Sequence, residues 1–193
     1  TPSIHENPLS SWIIAVIVGH LVGLGAAVTL VGTPPGAGAH PYALIASALV
    51  GGAATVSVGA AQWPALRRAF AELRVQEWIL ASGLGGALVG MLAMGAITSG
   101  PYDASSLPTV LLAALMFGLI AGGILGAMQA WALRRRPHVA IRWCLANAAG
   151  WALGLLLVVA GVLGAVLGPD VSGVTVATMT VGVAVMGAII AWM

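Results

Sequence analysis

Six long apolar stretches, at about 12–31, 42–61, 78–97, 108–128, 143–167 and 171–192, constrain this chain more than any other feature. None of them contains an Asp, Glu, Lys or Arg. A helix rises about 1.5 Å per residue, so about 20 apolar residues cross a hydrocarbon layer of about 30 Å. In lipid the backbone must satisfy its own polar groups, which such a stretch does as a helix. The expected fold is all-α, an integral membrane bundle of six transmembrane helices. Of the 193 residues, 60% are hydrophobic and 6% are charged. That leaves no length for a sizeable soluble domain, so residues 1–193 read as one transmembrane domain. No basic leader precedes 12–31, which therefore reads as a retained span and not a signal peptide.

Charge orients the bundle. All seven basic residues are arginines, and they fall in two short segments. Arg67, Arg68 and Arg74 lie in the first; Arg134, Arg135, Arg136 and Arg142 lie in the second. The other connections carry only Asp103 and Asp170. Short basic segments resist translocation, so both are expected in the cytoplasm. With six spans, both termini follow. The expected location is a bacterial inner or intracytoplasmic membrane. Arginines at a membrane surface are candidates for anionic-lipid headgroups. Split over two short loops they make no groove for nucleic acid.

The stretches repeat. Trp12-Ile-Ile-Ala15 with Gly19 matches Trp78-Ile-Leu-Ala81 with Gly85 and Trp143-Cys-Leu-Ala146 with Gly150. Pro41, Pro108 and Pro169 stand at the starts of the even stretches, where a missing N–H costs nothing. Gly59-Ala-Ala-Gln62 and Gly126-Ala-Met-Gln129 end two of them, followed by Leu66-Arg67-Arg68 and Leu133-Arg134-Arg135. We read three parallel helical-hairpin repeats, about 12–76, 77–142 and 143–193, related by an axis along the membrane normal. Mitochondrial-type carriers also use three hairpins, but their prolines and paired charges on the odd helices are missing here.

The chain resembles a loose group of uncharacterised bacterial multi-pass membrane proteins. The shared pattern is Gln-Trp, Leu-Arg-Arg, Trp-x-Leu-Ala and Gly-Trp-x-Leu-Gly. Here it is carried by Gln62, Trp63, Leu66, Arg67, Arg68, Trp78, Leu80 and Ala81 in one copy. Gln129, Leu133, Arg134, Arg135, Trp143, Leu145, Ala146, Gly150, Trp151, Leu153 and Gly154 carry the other. Gly86 departs from it where the second copy has Trp151. The resemblance implies a multi-pass fold and brings no activity with it.

Small residues recur every fourth position. Gly19 with Gly23, Gly86 with Gly90, Gly118 with Gly122 and Gly126, and Gly150 with Gly154 form such ridges. They allow close helix packing, either inside the bundle or against a partner helix. Gln62 and Gln129 are expected to cap carbonyls or bond across helices, and Asn147, which aligns with Ser82, to do likewise. Tryptophans 12, 63, 78, 131, 143 and 192 read as an interfacial belt, with Tyr42 and Tyr102 at the other boundary. Residues 64–76 read as a short amphipathic surface helix, with Leu66, Phe70 and Leu73 on its apolar face.

His20 is the one ionisable side chain expected at membrane depth, and such residues are functional candidates. Its imidazole suits either an interhelical hydrogen bond or an axial bond to a (bacterio)chlorophyll-type pigment. Trp151 occupies the matching repeat position and is a candidate pigment contact; a carotenoid is a further candidate ligand, and bound lipids are expected. The lone Cys144 forms no internal disulfide. There is no His-Glu-x-x-His motif, no Gly-x-Ser-x-Gly elbow and no phosphate loop leading to Lys.

The expected function is a non-catalytic accessory or scaffold subunit. It would pack against other subunits of a larger bacterial membrane complex, photosynthetic (reaction centre or light harvesting) or respiratory. A small-molecule permease or channel is the first alternative. A pigment-binding protein with His20 as axial ligand is the second.

Overall fold

The computed structural model describes residues 41–98 and 106–167. Within them lie four α-helices: α1 (Pro41–Ala69), α2 (Val75–Thr98), α3 (Leu107–Ala132) and α4 (Pro137–Leu167). All four are long and apolar enough to cross a membrane. They match the second to fifth expected spans. The first and sixth, with His20, Gly19 and Gly23, lie outside the described residues.

Local chemistry sets the helix starts. Pro41 and Pro137 open α1 and α4. Ser106 caps α3 in an extended conformation, its hydroxyl 2.6 Å from that of Thr109, and Pro108 follows inside the first turn. At their basic ends the helices outrun the apolar stretches. α1 continues through Pro64 to Ala69, and the chain then reverses in five residues. The amide of Phe70 bonds the carbonyl of Leu66 at 2.8 Å, and that of Leu73 bonds Phe70 at 3.0 Å.

The surface helix expected over 64–76 is therefore absent. Its residues form the last turn of α1, a tight turn and the start of α2. The cause is burial: Leu66 and Leu73 insert among Trp78, Ala132, Leu133 and Trp143 rather than lying on the membrane. Removing that apolar surface from water outweighs what an interface could provide.

The helix pairing also differs from expectation. The sequence grouped 78–97 with 108–128 in one hairpin. In the structure α1 packs extensively on α2, and α3 on α4, while α2 meets α3 over a smaller area. Each extensive pair is joined by one of the two basic turns. The four described helices form an open row in which the backbone of α1 approaches neither α3 nor α4 closely, and Leu66 at its end reaches their shared core.

Candidate functional site

The α1–α2 seam is built from small residues on both sides. Ser47, Gly51, Thr55 and Gly59 recur every fourth residue on α1, facing Trp78, Ser82, Gly86 and Gly90 on α2. A methyl group on Gly51 or Gly86 would collide with the other's carbonyl, and one on Gly90 would strike the Ser47 backbone. The Thr55 hydroxyl lies 2.7 Å from the Ser82 carbonyl and 2.9 Å from the Gly51 carbonyl of its own helix.

The α3–α4 seam repeats the device. A methyl on Gly118 would lie 2.6 Å from both Ala152 Cα and the Trp151 carbonyl oxygen. One on Gly122 would lie 2.7 Å from Trp151 Cβ, and one on Gly126 2.9 Å from Asn147 Cβ and Cys144 Cα. Gly150 and Gly154 are buried on α4. The described ridges thus face inward and set helix separation, as close packing requires. The sequence ridges do not include Gly51, or Gly59, which marks only the end of its stretch. Their signal was the same fourth-residue spacing, with Ser and Thr standing for glycine.

Where the two pairs meet, a polar cluster crosses them. Gln129 on α3 donates from Nε2 to Ser82 Oγ on α2 at 3.1 Å. Its Oε1 accepts from Trp143 Nε1 on α4 at 2.9 Å. One amide therefore ties three helices. Trp78 Nε1 donates to the Gly59 carbonyl at 3.2 Å, and Asn147 Nδ2 to the Trp143 carbonyl at 3.0 Å. Leu125 closes over Gly85, where a methyl would stand 2.9 Å from its Cδ1.

Gln62 occupies the position in α1 that Gln129 holds in α3, and it behaves differently. It is 4% exposed, and its Oε1 is the one buried side-chain polar atom without a hydrogen bond among the described residues. The matching indole, Trp78, bonds Gly59 instead.

The tryptophans correct the expected belt. Trp78 is fully buried and Trp143 is 6% exposed. Each has a protein acceptor for its indole N–H, so neither needs a headgroup. Trp131 is 49% exposed, with the Arg134 guanidinium 4.3 Å above its ring. Trp151 is half-buried with its Cβ over Gly122.

The arginines divide into two sets. Arg134 forks onto Glu77 with contacts of 3.1 and 3.2 Å. Arg136 grips Glu72 through Nε and through Nη2, the latter at 3.2 Å, and lies 5.3 Å from the Phe70 ring. Both pairs join the second basic turn to the first helix pair. The Glu72 carboxyl titrates below its ordinary value, held there by its own backbone amide and by Arg136, against a smaller opposing effect of burial. Arg67, Arg68, Arg135 and Arg142 form no ion pair among the described residues. Arg74 reaches Glu77 only at 3.9 Å. Among the described residues no three His, Cys, Asp or Glu side chains gather as a metal site.

No protein family, curated protein or solved structure matches this chain.

Proposed function

We propose that the chain is a non-catalytic accessory subunit of a larger bacterial membrane complex, photosynthetic or respiratory. One observation carries the reading: the buried Ser82 and Gln129 tie helices together and the buried Ser47 and Asn147 bond carbonyls of their own helices, while the outward faces are aliphatic. Ser82, Gln129 and Asn147 all bond within or between the helices. Leu112, Met116, Leu119 and Ile120 stand exposed along α3, beside open space above Gly123. A broad apolar surface with a small-residue gap suits a partner helix.

On this reading six spans form three hairpin repeats with both termini and both basic turns in the cytoplasm. The contact between Trp78 and Trp143, which hold matching repeat positions, supports a rotational relation between copies. Arg67, Arg68, Arg135 and Arg142 meet anionic headgroups.

The test is gentle-detergent extraction from native membranes, with mass spectrometry and an absorption spectrum on one fraction. Stoichiometric co-migration with other membrane subunits is expected. Migration of the chain alone overturns the proposal, and a visible band lost in His20→Ala would favour pigment binding instead.

A further inference from the structure

Beyond Trp143, one face of α4 is buried with no described helix over it. Trp143 is 6% exposed and Ala146 3%, and Gly150 and Gly154 are buried further along. With about 3.6 residues per turn, these four share one stripe. It is not the α3 seam, which meets α4 at Cys144, Asn147, Ala148, Trp151 and Ala152. Those residues centre about a third of a turn round the helix. Nor is it the outer face, where Leu145 and Leu153 stand exposed. Among the described helices, only α3 brings its backbone close to that of α4, and α2 reaches the foot of the stripe through Trp78 on Trp143. The burial is that of a single chain. The chain therefore covers this face itself, with residues outside 41–98 and 106–167.

We propose that residues 171–192 return along α4 and seat on this face, with Met186 and Ile189 over Gly150. The proposal rests on the reading of six spans in three repeats. In that reading Gly85 of α2 and Gly150 of α4 hold the same place, and Gly126-Ala-Met-Gln129 matches Gly187-Ala-Ile-Ile190. The structure shows what covers Gly85. A methyl there would stand 2.9 Å from Leu125 Cδ1 and 3.4 Å from Met128 Cβ, both on α3, the helix that follows α2 in the chain. By the same register, Leu125 and Met128 correspond to Met186 and Ile189 in the stretch that follows α4.

Tether and length agree with that occupant. α4 ends at Leu167, so 168–170 alone separate it from 171–192. A helix over 171–192 would rise about 33 Å, enough to pass the whole stripe. Residues 99–105 are too few to line the two turns from Ala146 to Gly154. Residues 12–31 fit less well, because they lead into α1, at the other end of the row from α4. Seated on α4, 171–192 fill its glycine ridge from within the chain and leave the aliphatic face of α3 for a partner subunit.

The test uses the full chain in its membranes, with cysteine pairs in a Cys144→Ala background. Each pair is oxidised, and the remaining thiols are counted by maleimide mass tagging. Gly85→Cys with Met128→Cys is the reference, since those Cβ positions lie 3.4 Å apart, close to the spacing in a disulfide. Gly150→Cys with Ile189→Cys is expected to lose both thiols within one chain, as the reference does. Gly150→Cys with Gly19→Cys is expected to keep them. A second readout leaves the glycines in place: a diazirine-bearing residue at position 186 is expected to cross-link to 143–154 of the same chain.

Thiols kept by the 150–189 pair while the reference closes overturn the proposal. So does closure of the 150–19 pair, a disulfide between two copies, or cross-linking from position 186 to another protein. Should Gly150→Cys lose helicity by circular dichroism, the position-186 cross-link decides alone. Migration of the chain without other subunits would overturn the accessory-subunit reading and leave these cross-links standing. Failure of the unaltered chain to insert into a membrane would overturn the spanning reading itself.

Discussion

Trp78 and Trp143 meet edge to face, with ring centroids 5.3 Å apart and planes at 78°. Both open a Trp-x-Leu-Ala motif, yet each sends its indole N–H to its own pair: Trp78 to Gly59, Trp143 to Gln129. The aromatic contact thus joins the pairs while the hydrogen bonds fasten each pair internally. Trp78→Ala is expected to destabilise the chain by about 3–5 kcal/mol, the range for emptying a large aromatic site. Thermal unfolding in detergent micelles measures it.

The two glutamines give a paired test. Gln129→Leu removes two interhelical bonds and leaves Ser82 Oγ without that donor, at an expected cost of about 2 kcal/mol. Gln62→Leu removes a buried carbonyl oxygen that has no bond to lose. It is expected to be neutral or stabilising by up to about 1 kcal/mol. Equal losses in the two variants would contradict the inequivalence of the two glutamines.

Glycine substitutions should sort by seam. Gly86→Val and Gly118→Val drive side chains into facing backbone and are expected to cost at least about 3 kcal/mol or prevent assembly. Gly123→Ala points into open space and is expected to be tolerated, with a gain of up to about 1 kcal/mol from helix propensity. Unfolding in a graded series of denaturing detergent reads all three.

The link between the second basic turn and the first pair should weaken in acid. The Glu72 carboxyl titrates below its ordinary value of 4.5. A carboxylate with a lowered value in the folded state adds stability above the ordinary value, and that stability disappears as pH falls through the lowered one. Cross-linking between cysteines placed at positions 71 and 137 should therefore persist at neutral pH and fall off only below pH 4.5. In Glu72→Gln the acid-dependent loss should be absent.

Much of this was written in the sequence, and the misses share one physical origin. Uncharged apolar length announced α1 to α4, and Pro41 and Pro108 marked two of their starts. For Gln129 the sequence leaves two roles open, capping a carbonyl or bonding across helices, and the structure shows the second. What the sequence did not reveal was which residues leave the membrane surface. Leu66, Leu73, Trp78 and Trp143 have the composition of an interfacial layer, yet they form a core because two basic turns stack against each other. That stacking includes the fork from Arg134 to Glu77, a contact between residues 57 positions apart that no local pattern encodes. The orphaned Gln62 oxygen was equally hidden, since Gln62 and Gln129 read alike in sequence and differ only in where the neighbouring indole points.

Whether α1 to α4 cross a membrane with both basic turns on one face is read by cysteine labelling. The chain has a single cysteine, so a Cys144→Ala background allows one new cysteine at a time. Cysteines at positions 68 and 135 would be probed with a membrane-impermeant maleimide in sealed inverted and right-side-out vesicles, alongside one at position 104. Positions 68 and 135 are expected to label in the same vesicle orientation and 104 in the opposite one. Labelling of 68 and 135 from opposite sides would contradict that arrangement.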